Sequence, residues 1–367
     1  MKTITPYTAG IQPQGEGWIK LNTNENPYPP SPRVIDALKG ADFDRLRRYP
    51  DPDSCALSEA VAENLGVAPQ NIFCGNGSDE VLAFAFHAFF SGKQVSMPDL
   101  GYGFYPVWAA MCGAAVRPIP LCADFTVAPE GYRGCGGVIL ANPNTPTGLA
   151  LPLGAVEQIV RENPNGVVIV DEAYIDFSAV QSAAQLTPKY KNLLVVRTFS
   201  KSYSLAGLRV GFAAGDKKLI DALRNVKNAF NSYPVGQLAQ AGAIAALGDT
   251  AYFDKTRKQV IETREMLRAR LDCLPSGANF VFWRAAGGAV GGAATDGGAG
   301  AATEGAGAGG GARAGGARAV YDKLSAQKIL VRHFEHPRAK DYLRITIGTK
   351  SEMEELLKCI AKQTKPK

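Results

Sequence analysis

The sequence predicts an α/β fold: a large domain built on a mostly parallel sheet covered by helices, followed by a smaller α+β domain. Two observations predict it. Short, continuously apolar runs recur at QVSM (94–97), GVIL (137–140), VVIV (167–170) and LLVV (193–196), with helical patterns such as PLGAVEQIVREN (152–163) between several of them. Unbroken apolar strands alternating with helices indicate strands buried on both faces. After about residue 250 the pattern changes to one long charged helix and then isolated strand and helix segments.

Along the chain, the first ~45 residues are proline-rich, and NENPYPPSP (24–32) suits neither regular helix nor strand. They read as an arm (1–45) that joins the smaller domain. SCALSEAVAENLGV (54–67) spaces Leu57, Val61 and Leu65 as a helix does. NIFCGNG (71–77) is a short strand running into glycines, and SDEVLAFAFHAFF (78–90) opens a helix with Ser78 and Asp79. The large domain is set at 46–249 and the small one at 250–367. In the small domain, 254–274 reads as an amphipathic helix, 278–284 as a strand, 317–329 as a helix and 341–348 as a strand. Residues 285–319 are almost all Gly and Ala without an apolar face, and are expected to be a flexible insertion.

Composition narrows the function. Of 367 residues, 46% are hydrophobic and 20% charged, ordinary for a chain with a sizeable core. The net charge of +6 could favour small anions, but no dense Lys/Arg run of the kind that tracks nucleic acid occurs. The 7 cysteines are scattered without a CxxC pair and there are only 3 histidines, which argues against a metal site and for reduced thiols in the cytoplasm. No apolar signal-peptide core and no membrane-spanning stretch is legible.

The chemistry collects where the strands end, as functional residues do in such sheets. Glycines before Ser78 and Asp79 would let backbone N–H groups approach an anion, although a plain helix N-cap also explains them. ANPNTPTG (141–148) follows GVIL, and turn chemistry alone can account for it. Asp171 and Glu172 follow VVIV; such an acid binds a cation, holds a heterocycle's N–H⁺, or merely caps a loop. Ser200, Lys201 and Arg209 follow LLVV. A lysine there can be a solvated strand-end residue. Their order and shared position are more specific than any one of them. Together they are the equipment to hold a phosphorylated pyridine aldehyde: phosphate on the helix start and arginine, the acid on the ring nitrogen, the lysine as imine-former.

Nine stretches carry a family resemblance: KLNTNENPYPPSP (20–32), RYPDP (48–52), GNGSDEVL (75–82), PDLGYGFY (98–105), NPNTPTG (142–148), VDEAYIDF (170–177), TFSKSYSLAGLRVGF (198–212), ANFVFWR (278–284) and YLRITIGT (342–349). On these the chain resembles the class II, fold-type I aminotransferases that use pyridoxal 5'-phosphate, and among them the histidinol-phosphate aminotransferases. The resemblance implies that Lys201 is the Schiff-base lysine, that Asp171 pairs with the pyridine nitrogen, and that Tyr174 and Asn144 bond the ring hydroxyl. It implies that Tyr102 stacks on the ring. Ser78, Asp79, Thr198, Ser200 and Arg209 would surround the phosphate, and Tyr49 would reach the cofactor of the neighbouring subunit in a homodimer. Arg344 would clamp the substrate α-carboxylate through a bidentate contact, with Arg332 and Tyr7 near the rest of the substrate. The implied reaction converts L-histidinol phosphate and 2-oxoglutarate to imidazole-acetol phosphate and L-glutamate. An aromatic aminotransferase and a threonine-phosphate decarboxylase-like enzyme are the rival readings. A regulator of this fold carries an N-terminal DNA-binding domain, whereas here the match starts within the first ~20 residues.

The chain departs from the family pattern at three places. Thr145 stands where many relatives have a second Asn, which leaves Asn144 as the expected ring-hydroxyl ligand. Ser204 replaces a common glycine, with little consequence expected. The Gly/Ala tract is foreign to the family's compact form.

Overall fold

The computed structural model describes residues 4–285 and 316–364. Its strands are β1 (Ile19–Lys20), β2 (Ile72–Asn76), β3 (Gln94–Pro98), β4 (Ala115–Ile119), β5 (Gly137–Ala141), β6 (Val167–Asp171), β7 (Leu193–Thr198), β8 (Val210–Gly215), β9 (Phe280–Arg284), β10 (Ile329–Leu330), β11 (Arg332–His333) and β12 (Tyr342–Thr346). Seven form one sheet in the order β2-β8-β7-β6-β5-β3-β4. Only β8 runs antiparallel to its neighbours β2 and β7; the other pairings are parallel.

The period of two explains why the central strands read as unbroken apolar runs. Ile139, Ile169, Leu194 and Val196 enter one apolar cluster, with Val81 and Phe86 of the helix Gly77–Phe90. Their alternates Val138, Leu140, Val168, Val170, Leu193 and Val195 enter another, with Val156 and Ile159 of the helix Leu153–Arg161. Each of these strand side chains is at most 1% exposed, so each contributes roughly 1.5–3 kcal/mol of burial. The sheet is thereby held between two layers, and its strand ends are rigid mounts.

A second sheet, in the order β11-β12-β9, is antiparallel. Leu267, Leu324 and Leu356, from the helices Thr250–Arg268, Ala317–Ala326 and Lys350–Thr364, pack with Val281, Trp283 and Ile345 behind it. The proline-rich arm reaches this layer: β1 pairs with β10, and Leu21 joins the same cluster. The arm then leads Asn22 to Glu25 into a cavity between the two sheets.

Several elements differ from expectation. Within the arm, Ser31 caps a short helix, Pro32–Lys39, whose first position holds a proline. The helix expected over 254–274 spans Thr250–Arg268. Residues 272–274 leave it because they bond to β9: Arg284 donates to the Asp272 carbonyl and Leu274 to that of Phe282. Of the Gly/Ala tract, Ala317–Ala319 open a helix, and 286–315 lie outside the described residues. No described helix is long and apolar enough to cross a membrane.

Candidate active site

One cavity of ≈ 280 Å³ gathers every sequence-predicted site residue except Tyr49 and Asn144. Asp171 ends β6 and Thr198 ends β7, with Ser200 and Lys201 just beyond it. Lys201 Nζ donates to the Thr23 carbonyl at 3.2 Å. Its backbone is gripped as well: Asn26 Nδ2 donates to the carbonyls of Lys201 (2.9 Å) and Ser202 (3.2 Å). The Ser202 hydroxyl donates in turn to Asp176, which pairs with Arg197. The lysine's reach is therefore set by the arm on one side and a partly buried ion pair on the other.

The helix start is not capped by its own first side chains. Neither Ser78 nor Asp79 caps the helix Gly77–Phe90; the Glu80 carboxylate instead accepts from the Asn76 N–H at 2.7 Å. Asp79 accepts from the Tyr102 hydroxyl at 3.0 Å and from Arg209 at 3.5 Å. Arg209 also donates to Ser200 Oγ at 3.4 Å. Close approach requires two glycines here. A Cβ on Gly77 (φ +78°) would lie 2.4 Å from Arg209 Nη2, and one on Gly211 would lie 2.3 Å from the Ser78 nitrogen. Arg209 itself holds φ +55°, a strained conformation for a non-glycine residue of the kind that clusters at functional sites. Ser204 sits at φ +61°. The replacement of a common glycine there is not neutral, since a left-handed non-glycine residue costs roughly 1–2 kcal/mol.

The two remaining residues lie elsewhere. Asn144 does not line the cavity: its amide nitrogen donates to the Leu100 carbonyl (3.2 Å) and Thr147 Oγ1 (3.1 Å), while Asn142 brackets Leu151 across the same loop. Both asparagines close the turn. Thr145 is the residue of this loop that lines the cavity, whereas Asn144, expected at a ring hydroxyl, does not line it and keeps a buried Oδ1 without a partner. Tyr49 is 78% exposed and stacks on Tyr233 at the surface.

The cavity also contains residues the sequence reading did not single out. Asn24, at φ +55°, donates to the Tyr174 hydroxyl at 3.0 Å and is tied to Thr346 and Asn279. The motif LNTNEN was visible, but which of its side chains faces inward was not. Arg332 and Arg344 are direct cross-strand partners on β11 and β12. Arg344 donates to Thr145 Oγ1 at 3.1 Å and to the Asn22 carbonyl at 2.9 Å, with Nε buried and unpartnered. Among the described residues neither arginine makes an ion pair. Like charges placed opposite each other are destabilising, and an anion bound between them would relieve that repulsion.

Burial and the nearby Arg344 charge, opposed by Asp79 and Glu25, pull the Lys201 amine down to about 8. Burial pushes Asp171 up to about 6, against hydrogen bonds from Tyr105 and the Ala173 N–H. Burial also pushes Glu172 up to about 7, but that side chain bonds Ser182 and the Ala183 N–H and does not line the cavity. The arrangement brings together an amine near neutrality, a buried acid, a helix start with Arg209 beside it and a pair of arginines, groups able to hold a cationic ring and anions.

The sequence profile of the family described as aminotransferase class I and II matches residues 16–360. The chain is 47% identical over 365 residues to histidinol-phosphate aminotransferase 1 of Hydrogenovibrio crunogenus, covering 98% of this chain and 95% of that one. It is 47% identical over 370 residues to histidinol-phosphate aminotransferase 1 of Bordetella parapertussis, covering 98% and 96%. Among solved structures it is similar to histidinol-phosphate aminotransferase from Sinorhizobium meliloti in complex with pyridoxal-5'-phosphate, with TM-score 0.78 and 25% identity over 94% of this chain and 91% of that one. The chain belongs to the aminotransferase class I and II family, with the fold-type I architecture, and is an aminotransferase.

Proposed function

We propose that the enzyme transfers the amino group of L-histidinol phosphate to 2-oxoglutarate, giving imidazole-acetol phosphate and L-glutamate, with pyridoxal 5'-phosphate as cofactor. The observation that carries the reading is the Arg332–Arg344 pair on the wall of the cavity that holds Lys201 and Asp171. Histidinol phosphate presents a phosphate and no α-carboxylate, whereas glutamate presents carboxylates. The planar fork of arginine serves either anion. The names of the 47%-identical relatives support the same substrate.

The donor set fits pyridoxal phosphate. The Gly77–Gly211 cradle leaves room that a Cβ would fill, and Ser78, Thr198, Ser200 and Arg209 supply neutral and cationic donors for a phosphate, with Asp79 orienting Arg209. Asp171 would take the ring nitrogen, Tyr174 and Thr145 the ring hydroxyl, and Tyr102 a ring face. Bound there, the cofactor supplies an aldehyde that captures amines and a protonated ring that accepts electron density from the substrate carbon. The chain's own residues do the rest. Lys201, with its amine near 8, removes the proton from the substrate carbon as a general base and returns it as a general acid. Arg344 and Arg332 fix the distal anion so that the carbon faces that amine. The 1–45 arm supplies Tyr7, Thr23 and Asn24 to the wall, which makes closure of the site depend on its docking. The enzyme acts as a homodimer in which the exposed Tyr49 enters the site of a second copy.

Purified enzyme incubated with histidinol phosphate and 2-oxoglutarate should form glutamate, and Lys201→Ala should abolish the reaction. Borohydride reduction followed by peptide mapping should place the cofactor on Lys201; a label on another lysine would overturn the assignment.

A further inference from the structure

Asp171 is held by two neutral donors. The Tyr105 hydroxyl donates to Oδ2 at 2.8 Å, and the Ala173 backbone N–H donates to Oδ1 at 3.1 Å. Tyr105 is the first residue of the helix Tyr105–Cys112 and only 1% exposed. Its ring is wedged among Phe86, Tyr102 and Trp108. Among the described residues its hydroxyl makes no other hydrogen bond. A buried phenol with a single partner, aimed at the acid expected to face a ring nitrogen, has one visible task.

We propose that Tyr105 is a positioning residue that acts through Asp171, keeping the shared proton on the pyridine nitrogen of the bound cofactor and fixing which carboxylate oxygen faces the ring. The proposal rests on the cofactor reading above. Between a buried carboxylate and a pyridine nitrogen, the proton resides on whichever has the greater affinity. Burial raises the carboxylate's affinity. A hydrogen bond donated to the anion lowers it again without adding a positive charge that would repel the ring's proton. An arginine or lysine in place of Tyr105 would lower the carboxylate's affinity but also disfavour the protonated ring. The Tyr105 bond is the largest influence opposing the burial of Asp171, followed by the Ala173 N–H. The other titratable groups near this pair are Asp79, Lys201, Tyr102 and Tyr174. Burial keeps both of those phenols neutral, and neither bonds Asp171. Tyr105 is therefore the one side chain that tunes the acid by direct contact.

The test uses full-length enzyme, native and Tyr105→Phe, loaded with pyridoxal phosphate labelled with ¹⁵N in the ring. The native enzyme should show a protonated ring nitrogen and the variant a deprotonated one. In parallel, affinity is measured for pyridoxal phosphate and for its 1-deaza analogue, which lacks that nitrogen. Loss of a hydrogen bond to a charged group should weaken pyridoxal phosphate roughly ten- to a hundred-fold while changing the analogue by less than about two-fold. A residue with a merely structural role would weaken both alike, and that result, or a ring that stays protonated in the variant, overturns the proposal. Should Tyr105→Phe fail to fold, 3,5-difluorotyrosine at position 105 keeps the ring and strengthens donation. The ring ¹⁵N shift should then lie at or beyond the native protonated value, and a shift toward the deprotonated value overturns the proposal. Failure of the native enzyme to bind pyridoxal phosphate at all defeats the underlying cofactor reading instead.

Discussion

Lys201 and Arg344 share one electrostatic field. Burial, then the Arg344 charge, brings the amine to about 8 against an ordinary 10.5. In cofactor-free enzyme, labelling of Lys201 by an amine reagent should rise through about pH 8, because the reactive free base appears there. Arg344→Gln removes a repelling charge, so the same midpoint should move upward; a midpoint that stays or falls contradicts the assignment. Arg344 is also the proposed anion ligand. Truncating it leaves a substrate anion unpaired, at a cost of roughly 2–5 kcal/mol. Arg344→Ala should therefore depress kcat/KM for histidinol phosphate and glutamate together. At this scale the sequence was informative where a residue's position follows from a strand end, as for Asp171 and Lys201. It was uninformative where the direction of a loop side chain matters. Asn144 and Thr145 are neighbours, and chain spacing does not say which one lines the cavity; in the structure it is Thr145.

The helix start and β8 work as a single element. Gly211 on β8 lies against the Ser78 nitrogen, where a Cβ would stand at 2.3 Å, and backbone cannot yield as a flexible side chain does. Gly211→Ala should push the first turn of the helix Gly77–Phe90 away from Arg209 and open the phosphate cradle. Cofactor affinity should fall at least roughly ten-fold, as expected for losing one charge-assisted contact, while the protein still folds; equilibrium dialysis against pyridoxal phosphate checks it. The glycines of GNGSDEVL were legible as a site for close backbone approach. Their partner on β8 was not, because the pairing of β2 with β8 joins segments more than a hundred residues apart. The same holds for Arg332 and Arg344: the sequence places them near each other, but their cross-strand register on β11 and β12 is a tertiary fact. Tyr105 escaped the reading because an aromatic at the start of an apolar helix looks like core, and most of its ring is core.

Over the whole molecule, the site is assembled from two sheets and an arm, and each supplies something the others lack. The main sheet mounts the lysine and the acid, the smaller sheet mounts the arginines, and the arm closes the wall between them. The alternation of apolar strands and helices made the mostly parallel sheet predictable, because burial on both faces leaves an unmistakable apolar run. The proposed homodimer can be tested through the exposed Tyr49. Tyr49→Phe chains, weak alone, and Lys201→Ala chains, inactive alone, should regain activity when mixed, since heterodimers would restore one site with native Tyr49 from one chain and native Lys201 from the other. If activity does not return despite confirmed subunit exchange, Tyr49 does not act across the interface.

The central claim concerns which amine this cavity was built to accept. In the proposed reading the paired arginines take the distal phosphate of the substrate; the same wall also carries Tyr7 and Tyr102, so the phosphate rather than the ring is the feature to vary. The most direct measurement is steady-state kcat/KM for histidinol phosphate, unphosphorylated histidinol, tyrosine and phenylalanine, with 2-oxoglutarate as acceptor. Histidinol phosphate should exceed all three, and loss of its phosphate should cost roughly the 2–5 kcal/mol of an unpaired charge contact, about thirty-fold or more. If tyrosine or phenylalanine outruns histidinol phosphate, the substrate assignment is wrong and the enzyme is an aromatic aminotransferase.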